Sequence, residues 1–363
     1  MDKQVVNEYC PDYAVTPGEV LSHELELRGM TQQELSKRTG LTPKHIVSIV
    51  KAKSAITPST AIMFERALGM PAEYWLNLES LYQEALARIN EEATLEHDLG
   101  WLKRIPVSAM IKLGWIEKYA NPKAQLVAAL RFFGIASVGQ WNDMWPNLKV
   151  AYRQHTRHEI SFESVSAWLR RGEIEAAQIT CSHYDKATFR TALDEIRKLT
   201  SEPPEVFVPK MQELCAGAGV AVVFVPCLPK TGVSGATRWL NSNKALIQLS
   251  LRYKTDDHLW FTFFHEAGHI LLHGKKELFL EGANGLDKSK EDEANKFAQE
   301  ELIPRSAFTQ FTQHGSFSKA SINAFSGYIG IAPGIVVGQL QHAGLLSAAF
   351  CNELKQKFQW AHE

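Results

Sequence analysis

The sequence lacks the features that mark secreted, disulfide-bonded and membrane-spanning proteins. Its five cysteines are scattered and none lies in a Cys-x-x-Cys pair, which argues against a disulfide framework and a cysteine-rich zinc site. Residues 1–13 are mixed polar and show no apolar stretch before a cleavage site, as a secretory signal would. No apolar run reaches the roughly 18 residues that a membrane span needs. We therefore expect a cytoplasmic protein without a membrane partner.

The chain also has almost no net charge. Lys and Arg together number 39, against 40 for Asp and Glu, so only local clusters of charge can indicate a nucleic-acid partner. Hydrophobic residues make up 45% and charged residues 22% of the chain, the balance of a folded protein. A length of 363 residues favours two or three domains.

Hydrophobic periodicity predicts an α+β fold that is mainly α. Residues 1–80 are typical of a five-helix-type helix-turn-helix domain, and residues 81–204 of a helical connector domain. Residues 205–363 favour a zincin-like domain, in which a small β-sheet precedes a long apolar helix. A loop with Gly282 and Gly285 would follow that helix. Three strands are predicted, the last two joined as a hairpin by Asn241-Ser242-Asn243: 219–226, 233–240 and 244–251.

The long apolar helix contains the motif His265-Glu266-Ala267-Gly268-His269. Spacing of i and i+4 places both imidazoles on one helix face, where they can share one Zn²⁺ ion. Glu266 lies beside the first ligand and is predicted to be the general base that activates a zinc-bound water. Apolar residues flank the motif on both sides, which indicates a buried helix. Buried imidazoles and a carboxylate are costly unless they bind a metal or each other.

A catalytic zinc site needs a third protein ligand and an open position. The helix after the loop supplies Glu291, with Ala294 and Ala298 on the same face and small enough for close helix packing. Glu291 is the predicted third ligand, and Glu293 is the alternative. Asn295, one turn after Glu291, would hydrogen-bond a ligand imidazole.

Two further sites have a functional and a structural interpretation. His273, one turn after His269, would support a ligand or the oxyanion side of the site, or would simply satisfy the last helix carbonyls. Arg238 and Trp239 would line a sheet edge to which an extended peptide adds. Packing is the alternative for Trp239.

The segment from Phe264 to His273, residues 291–298 and the ending Leu302-Ile303-Pro304 resemble the ImmA/IrrE family of metallopeptidases. The likeness covers about residues 205–346. It implies a thermolysin-like (gluzincin) zinc site and cleavage of specific regulatory proteins, often DNA-binding repressors or antitoxins. By matching position, it also makes His265 and His269 ligands and Glu266 the base.

The N-terminal part contains a helix, a glycine turn and a second helix between Thr31 and Ile46, with Gly40 at the turn. No acidic residue occurs between Leu35 and Phe64. Five basic residues lie there, a modest footprint for phosphate: Lys37, Arg38, Lys44, Lys51 and Lys53.

This pattern resembles the helix-turn-helix of phage repressors, and its continuation to Asn77 is similar to HigA-type antitoxins. The resemblance implies that residues 15–77 bind an operator-type DNA duplex. Gln32 would contact the DNA backbone and Lys51 and Lys53 would hold phosphates. The residues facing the major groove would be Thr42, Lys44, His45 and Ser48. The alternative is a protein-interaction module that no longer binds DNA.

Two functions follow from these motifs. The first is a transcription regulator with a zinc endopeptidase domain that cleaves a specific repressor or antitoxin. The second is a HigA-like repressor of a toxin–antitoxin type, whose zinc domain binds or senses a partner such as a toxin without proteolysis. A homodimer is expected because repressor-type domains often pair on two-fold operator sites.

Overall fold

A computed structural model describes residues 14–144, 160–275, 278–280, 288–313 and 315–360. The expected polar N-terminus at 1–13 and the loop with Gly282 and Gly285 lie outside these ranges. The described part is mainly helical with one small sheet, which confirms the predicted α+β class. Two compact units are present, Met1–Leu99 and Gly100–Glu363. The division into three domains at 80 and 204 stays a prediction.

Four short helices of the first unit begin after a threonine, and a long fifth helix follows them and continues past Leu99. The side chains of Thr16, Thr31, Thr42 and Thr57 each accept a hydrogen bond from a backbone N–H of the following helix, which satisfies donors that a helix start leaves open. The helices are α1 (Pro17–Leu27), α2 (Gln32–Thr39), α3 (Pro43–Val50), α4 (Pro58–Leu68) and α5 (Ala72–Leu102).

Close packing of these helices fixes the geometry of α2 and α3. A Cβ atom at Gly18 would lie 2.3 Å from the carbonyl oxygen of Ile49, so α1 and α3 approach as closely as they do only because this residue is glycine. Gly40 ends α2 with φ 77°, as its place in the turn predicts. The shared core of the unit includes Leu21, Leu35, Ile46, Ile49, Phe64 and Trp75.

In the second unit a four-stranded sheet is surrounded by helices. The helices are α6 (Val107–Lys112), α7 (Pro122–Phe133), α8 (Val138–Met144), α9 (Phe162–Gln178), α10 (Lys186–Lys198), α11 (Pro204–Gly217), α12 (Asp256–Leu272), α13 (Lys288–Leu302), α14 (Arg305–Gln313), α15 (Lys319–Ile329) and α16 (Pro333–His342). The strands are β1 (Val220–Phe224), β2 (Gly235–Asn241), β3 (Lys244–Leu249) and β4 (Leu278–Leu280).

The sheet has the order β1-β3-β2-β4, with β1 parallel to β3 and the other pairs antiparallel. The predicted hairpin of β2 and β3 is confirmed. Strand β4 was not predicted because three residues are too short for a recognisable period. Its pairing with Ala236, Thr237 and Arg238 means that β2 is not an edge strand there, so the expectation of a free edge at Arg238 is wrong.

Helices cover both faces of the sheet. Successive side chains of a strand point to opposite faces, so neighbouring strands contact helices on either side. On one face, the hydroxyl of Thr237 donates to the carbonyl of Glu266 in α12 at 3.0 Å. On the other, the amide of Gln248 donates to the carbonyl of Trp168 in α9 at 2.7 Å. The expectation that Trp239 packs is met by Tyr184, whose ring centroid lies 4.7 Å away.

Among the described helices, none is by itself long and apolar enough to cross a membrane, although α15 and α16, bent by 112°, pass that test of length and composition as a pair. Ile322 in α15 and Val336 and Val337 in α16 are fully buried in the core around α12. This burial accounts for the apolar composition of the pair.

Candidate metal centre

The polar residues of the H-E-x-x-H motif lie inside the hydrophobic core. His265 and His269 are each 1% exposed and Glu266 is 0% exposed. Their helix, α12, is buried on nearly all sides. Trp260, Phe263 and other apolar residues of the same helix pack in the surrounding hydrophobic core. Such polar groups destabilise a core unless partners satisfy them. The neighbours of these three side chains therefore decide what the site can do.

Small residues bring α13 against α12 at the motif. Ala294 and Ala298 are fully buried, and a Cβ atom on Gly268 would lie 3.0 Å from the ring of Phe297 and 3.4 Å from the Cα of Ala294. The glycine within the motif and the alanines of the second helix thus let the two backbones approach. This is the packing that the spacing of Ala294 and Ala298 predicts.

The close approach brings three ligand-type side chains together. The Nε2 atoms of His265 and His269 are 3.0 Å apart. The carboxylate of Glu291 lies 3.3 Å from Nε2 of His265 and 3.6 Å from Nε2 of His269. A tetrahedral zinc with ligands at about 2.1 Å has ligand–ligand edges of about 3.4 Å. The spacing of the two nitrogens and the carboxylate fits such an ion.

Glu293, the alternative third ligand, occupies a different place. Its side chain is 59% exposed and its carboxylate lies 3.5 Å from Nε2 of His273. The side chain of Glu291 is only 18% exposed and contacts both motif histidines. Among the described residues, the group that can hold a metal consists of His265, His269 and Glu291.

Hydrogen bonds around the two imidazoles leave the facing nitrogens suited to a cation. The amide oxygen of Asn295 lies 3.0 Å from Nδ1 of His265, and since an amide oxygen only accepts, Nδ1 carries the proton and Nε2 a lone pair. Nδ1 of His269 lies 2.9 Å from Nδ1 of His273. The Glu293 carboxylate favours a proton on Nε2 of His273, so Nδ1 of His273 accepts from His269.

Both Nε2 lone pairs therefore point toward each other and toward the carboxylate of Glu291. These electron-rich groups repel one another unless a positive ion lies between them. Burial, with further contributions from His265, His273 and Lys290, lowers the pKa of His269 to about 2. A neutral imidazole is the form that binds a metal. The donor set and its charge state thus fit a divalent cation such as Zn²⁺.

Glu266 is held against strand β2 rather than among the ligands. A Cβ atom on Gly235 would lie 2.7 Å from one carboxylate oxygen of Glu266 and 2.9 Å from its Cγ. The backbone carbonyl of Glu266 accepts from Thr237 on the same strand. The glycine at the start of β2 therefore makes the room that the Glu266 side chain occupies.

One neighbour of the site was missed by sequence reasoning. The ring of Phe279 in β4 stacks on His269, with centroids 4.0 Å apart and planes 15° apart, and it also contacts His273. Its strand follows α12 closely in sequence, but a three-residue strand carries no periodic signal. Only its pairing with β2 places this ring over the histidine.

In the first unit, the residues predicted to contact DNA lie on or next to α2 and α3. Lys44, Lys51 and Lys53 are exposed, and Gln32 and His45 are partly exposed. The hydroxyls of the other two predicted DNA contacts, Thr42 and Ser48, have hydrogen-bond partners within the protein. Thr42 caps α3 by accepting from the His45 backbone N–H, and Ser48 lies 2.7 Å from Ser54.

Comparisons with known proteins agree with these two regions. A family model described as Helix-turn-helix matches residues 23–75, and one described as IrrE N-terminal-like domain, a peptidase family, matches residues 218–321. Among curated proteins, the chain is similar to virulence-associated protein I of Dichelobacter nodosus, with 32% identity over 81 residues, which cover 22% of this chain and 75% of that protein.

A solved structure, an addiction module antidote protein of a HigA family from Coxiella burnetii, is 28% identical and covers 23% of this chain and 92% of its own. Its TM-score of 0.22 is too low to support an argument about the fold.

The fold and the site define a regulator-type protein in which a helix-turn-helix domain is joined to a peptidase-type domain with a candidate metal centre. The chain belongs to the helix-turn-helix family, and its C-terminal part carries an IrrE N-terminal-like domain. The predicted resemblance is confirmed for both parts.

Proposed function

We propose that the chain is a zinc-dependent endopeptidase with a DNA-binding domain, and that it cleaves one specific regulatory protein of the repressor or antitoxin type. The observation that carries this proposal is the group His265, His269 and Glu291, whose ligand atoms lie within 4.8 Å of one another. Glu266 is buried next to this group. Two histidines, a carboxylate ligand and an adjacent carboxylate are the parts that metal-assisted peptide hydrolysis uses.

In this mechanism, His265, His269 and Glu291 would hold the ion, which would supply a Lewis acid and lower the pKa of a water molecule. The carboxylate of Glu266 would accept a proton from the attacking water and pass it to the leaving amine. Asn295 and His273 hydrogen-bond the outer nitrogens of the ligand imidazoles and so keep the inner nitrogens oriented. Gly235 and Thr237 position Glu266 from the sheet.

The test compares cells that express the wild-type protein with cells that express Glu266→Gln. New protein N-termini are mapped by mass spectrometry in both, and purified proteins are analysed for zinc. We expect cleavage products only with the wild type, because loss of the general base slows hydrolysis roughly 100-fold or more. About one zinc per chain is expected in both proteins.

Glu300→Gln is the matched control, since it makes the same change on an exposed carboxylate of α13 outside the ligand group, and cleavage should persist in that variant. Identical sets of N-termini in wild-type and Glu266→Gln cells would reject the protease proposal.

The second candidate function is a DNA-binding repressor whose metal domain binds a partner without cutting it. The helix-turn-helix match and the exposed lysines at and after α3 favour it. This function predicts that Glu266→Gln binds operator DNA and partner as the wild type does. It is discarded if no duplex from a random-sequence selection is bound above the non-specific level.

A further inference from the structure

A cavity of about 290 Å³ lies in the second unit, outside the group of metal-ligand residues. Its walls come from the loop before α12 and from helices α12, α13 and α16. The lining residues that matter here are Tyr253, His258, Phe261, Gln299, Leu302 and Ile335. Pockets near this size accommodate a small ligand or one large side chain.

Three walls of the cavity continue directly into the metal centre. Phe261 lies one helical turn before His265, with ring centroids 6.1 Å apart. Gln299 lies one turn after Asn295 on α13, the residue that hydrogen-bonds His265. Ser234, another lining residue, precedes Gly235, which touches the Glu266 side chain.

Phe261 in the cavity wall and His265 in the ligand group are therefore separated by about one helical turn, a rise of about 5.4 Å along α12. Consecutive residues of an extended peptide are spaced by about 3.3–3.6 Å. A peptide bond held at the metal centre thus has the side chain of an adjacent residue within reach of the cavity.

The chemistry of the cavity favours a flat apolar side chain. Phe261, Leu302 and Ile335 supply apolar surface. The ring of Tyr253 stacks on His258, with centroids 4.2 Å apart and planes 26° apart. Burial lowers the pKa of His258, which favours its neutral form at pH 7.

The carboxylate in the cavity wall, that of Asp257, takes part in an ion pair. Asp257 pairs with Lys355 at 2.6 Å, and the side chains of both residues are largely buried. This ion pair balances the buried charge of the lining, and the guanidinium of Arg252, a second charged lining residue, is exposed and lies against the Tyr253 ring. An aromatic ring fits such a lining better than a charged group does.

The loop that carries Tyr253 has a strained backbone. Leu251 and Lys254, on either side of Arg252 and Tyr253, have φ of 52° and 54°, values that non-glycine residues rarely adopt. The carbonyl of Lys254 accepts a hydrogen bond from Phe358 at 2.8 Å, and the guanidinium of Arg252 lies 5.1 Å from the Tyr253 ring centroid. Strain of this kind is concentrated where a protein holds a ligand.

We propose that this cavity is a specificity pocket that binds an aromatic side chain, Phe, Tyr or Trp, of the protein substrate next to the bond that is cleaved. The proposal rests on the proposed protease function for its biological meaning. The pocket itself recognises the ring without any cleavage step.

The test measures binding of N-acetyl-L-phenylalanine amide to the full chain by saturation-transfer NMR, with N-acetyl-L-alanine amide as the small-side-chain comparison. We expect a dissociation constant on the order of 1 mM for the phenylalanine probe and at least about tenfold weaker binding of the alanine probe. Gln299→Trp, which fills the cavity from α13, should reduce phenylalanine binding about tenfold. Gln339→Trp should do the same from α16, which guards against a local folding defect in either variant.

Gln313→Trp is the matched control because it places the same large residue on an exposed helix end outside the cavity, and binding should not change. Equal binding of the two probes, or unchanged phenylalanine binding in both filled variants, overturns the proposal. Ring binding without substrate cleavage would refute only the protease function. Cleavage without ring binding would refute only the pocket.

Discussion

The candidate metal centre has its polar side chains inside a hydrophobic core, whereas the helix-turn-helix domain has its predicted DNA-contacting lysines at the protein surface. His265 and His269 are 1% exposed, whereas Lys44 and Lys51 lie on the outside of α3 and at its end. Polar groups inside a core need partners there, so changing one affects both stability and chemistry. Exposed lysines can change with little effect on folding. The metal domain is therefore expected to couple function to stability, and the helix-turn-helix domain to separate them.

The largest effect is expected for His265→Ala, which removes a ligand. Zinc content should fall from about one per chain to below about 0.1. Chelation should lower the wild-type melting temperature by about 5–10 °C, since binding at 100 times the dissociation constant adds about 2.7 kcal/mol. The same chelation should leave the variant unchanged.

His45→Ala serves as the control because this histidine belongs to α3 of the first unit and is not one of the ligand-group residues. Its zinc content should equal that of the wild type. Metal analysis and thermal unfolding measure both quantities. Full zinc occupancy in His265→Ala would remove the basis of the site assignment.

An intermediate effect on stability is expected from Asp256, a buried carboxyl at the start of α12. Burial, with a smaller contribution from Asp257, raises the pKa of Asp256 from 3.8 to about 7, although backbone N–H donors oppose the shift. Between about pH 4 and pH 7 the folded state therefore keeps a proton that the unfolded state releases. This carboxyl makes the protein less stable as pH rises through that window, by at most about 1.4 kcal/mol per pH unit.

Asp256→Asn removes this titration. We expect the variant to gain free energy of unfolding relative to the wild type between pH 4 and pH 7, by on the order of a few kcal/mol. Urea unfolding at several pH values measures the difference. Parallel stability curves for the two proteins would show that the carboxyl is ionised in the folded state throughout.

The smallest effect on the fold is expected for Lys51→Ala. If Lys51 contacts a phosphate, the slope of log affinity for DNA against log salt should fall by about 1. The free energy of unfolding should change by less than about 0.5 kcal/mol because the side chain is exposed. Zinc content should stay the same.

Lys112→Ala, an exposed lysine of the second unit, is the control for charge loss alone. Fluorescence anisotropy with a selected duplex over a range of salt concentrations gives the slopes. Equal slopes for both variants and the wild type would count against a phosphate contact at Lys51. A large loss of stability in Lys51→Ala would instead contradict the expectation that function and stability are separate in the helix-turn-helix domain.

Much of the site could be predicted because its residues are close in sequence or on one helix face. His265, Glu266 and His269 share one helix, and Glu291 and Asn295 share the next, so the spacing groups the side chains that belong to each helix. The position of Gly40 and the β2–β3 hairpin were predictable for the same local reason. Each of these features depends on about 15 consecutive residues or fewer, the range over which helical and strand periods operate.

Features that depend on distant contacts were not predictable. Phe279 reaches His269 only because β4 pairs with β2, and the same pairing removes the free edge that Arg238 was expected to line. The choice between Glu291 and Glu293 as neighbour of the histidines depends on how α13 is rotated against α12. Spacing favours one face of a helix but does not establish its rotation in the tertiary structure.

The sequence by itself determined the two parts of this protein, the motif that brings a carboxylate and two imidazoles onto one helix, and the helices that carry the exposed lysines. Tertiary structure alone decided which of the two candidate carboxylates of α13 lies against the imidazoles, that an aromatic ring covers one of them, and that a cavity lies near the group. The physical reason is range. Periods and caps are properties of short segments, whereas a binding site is built where segments far apart in the chain pack together.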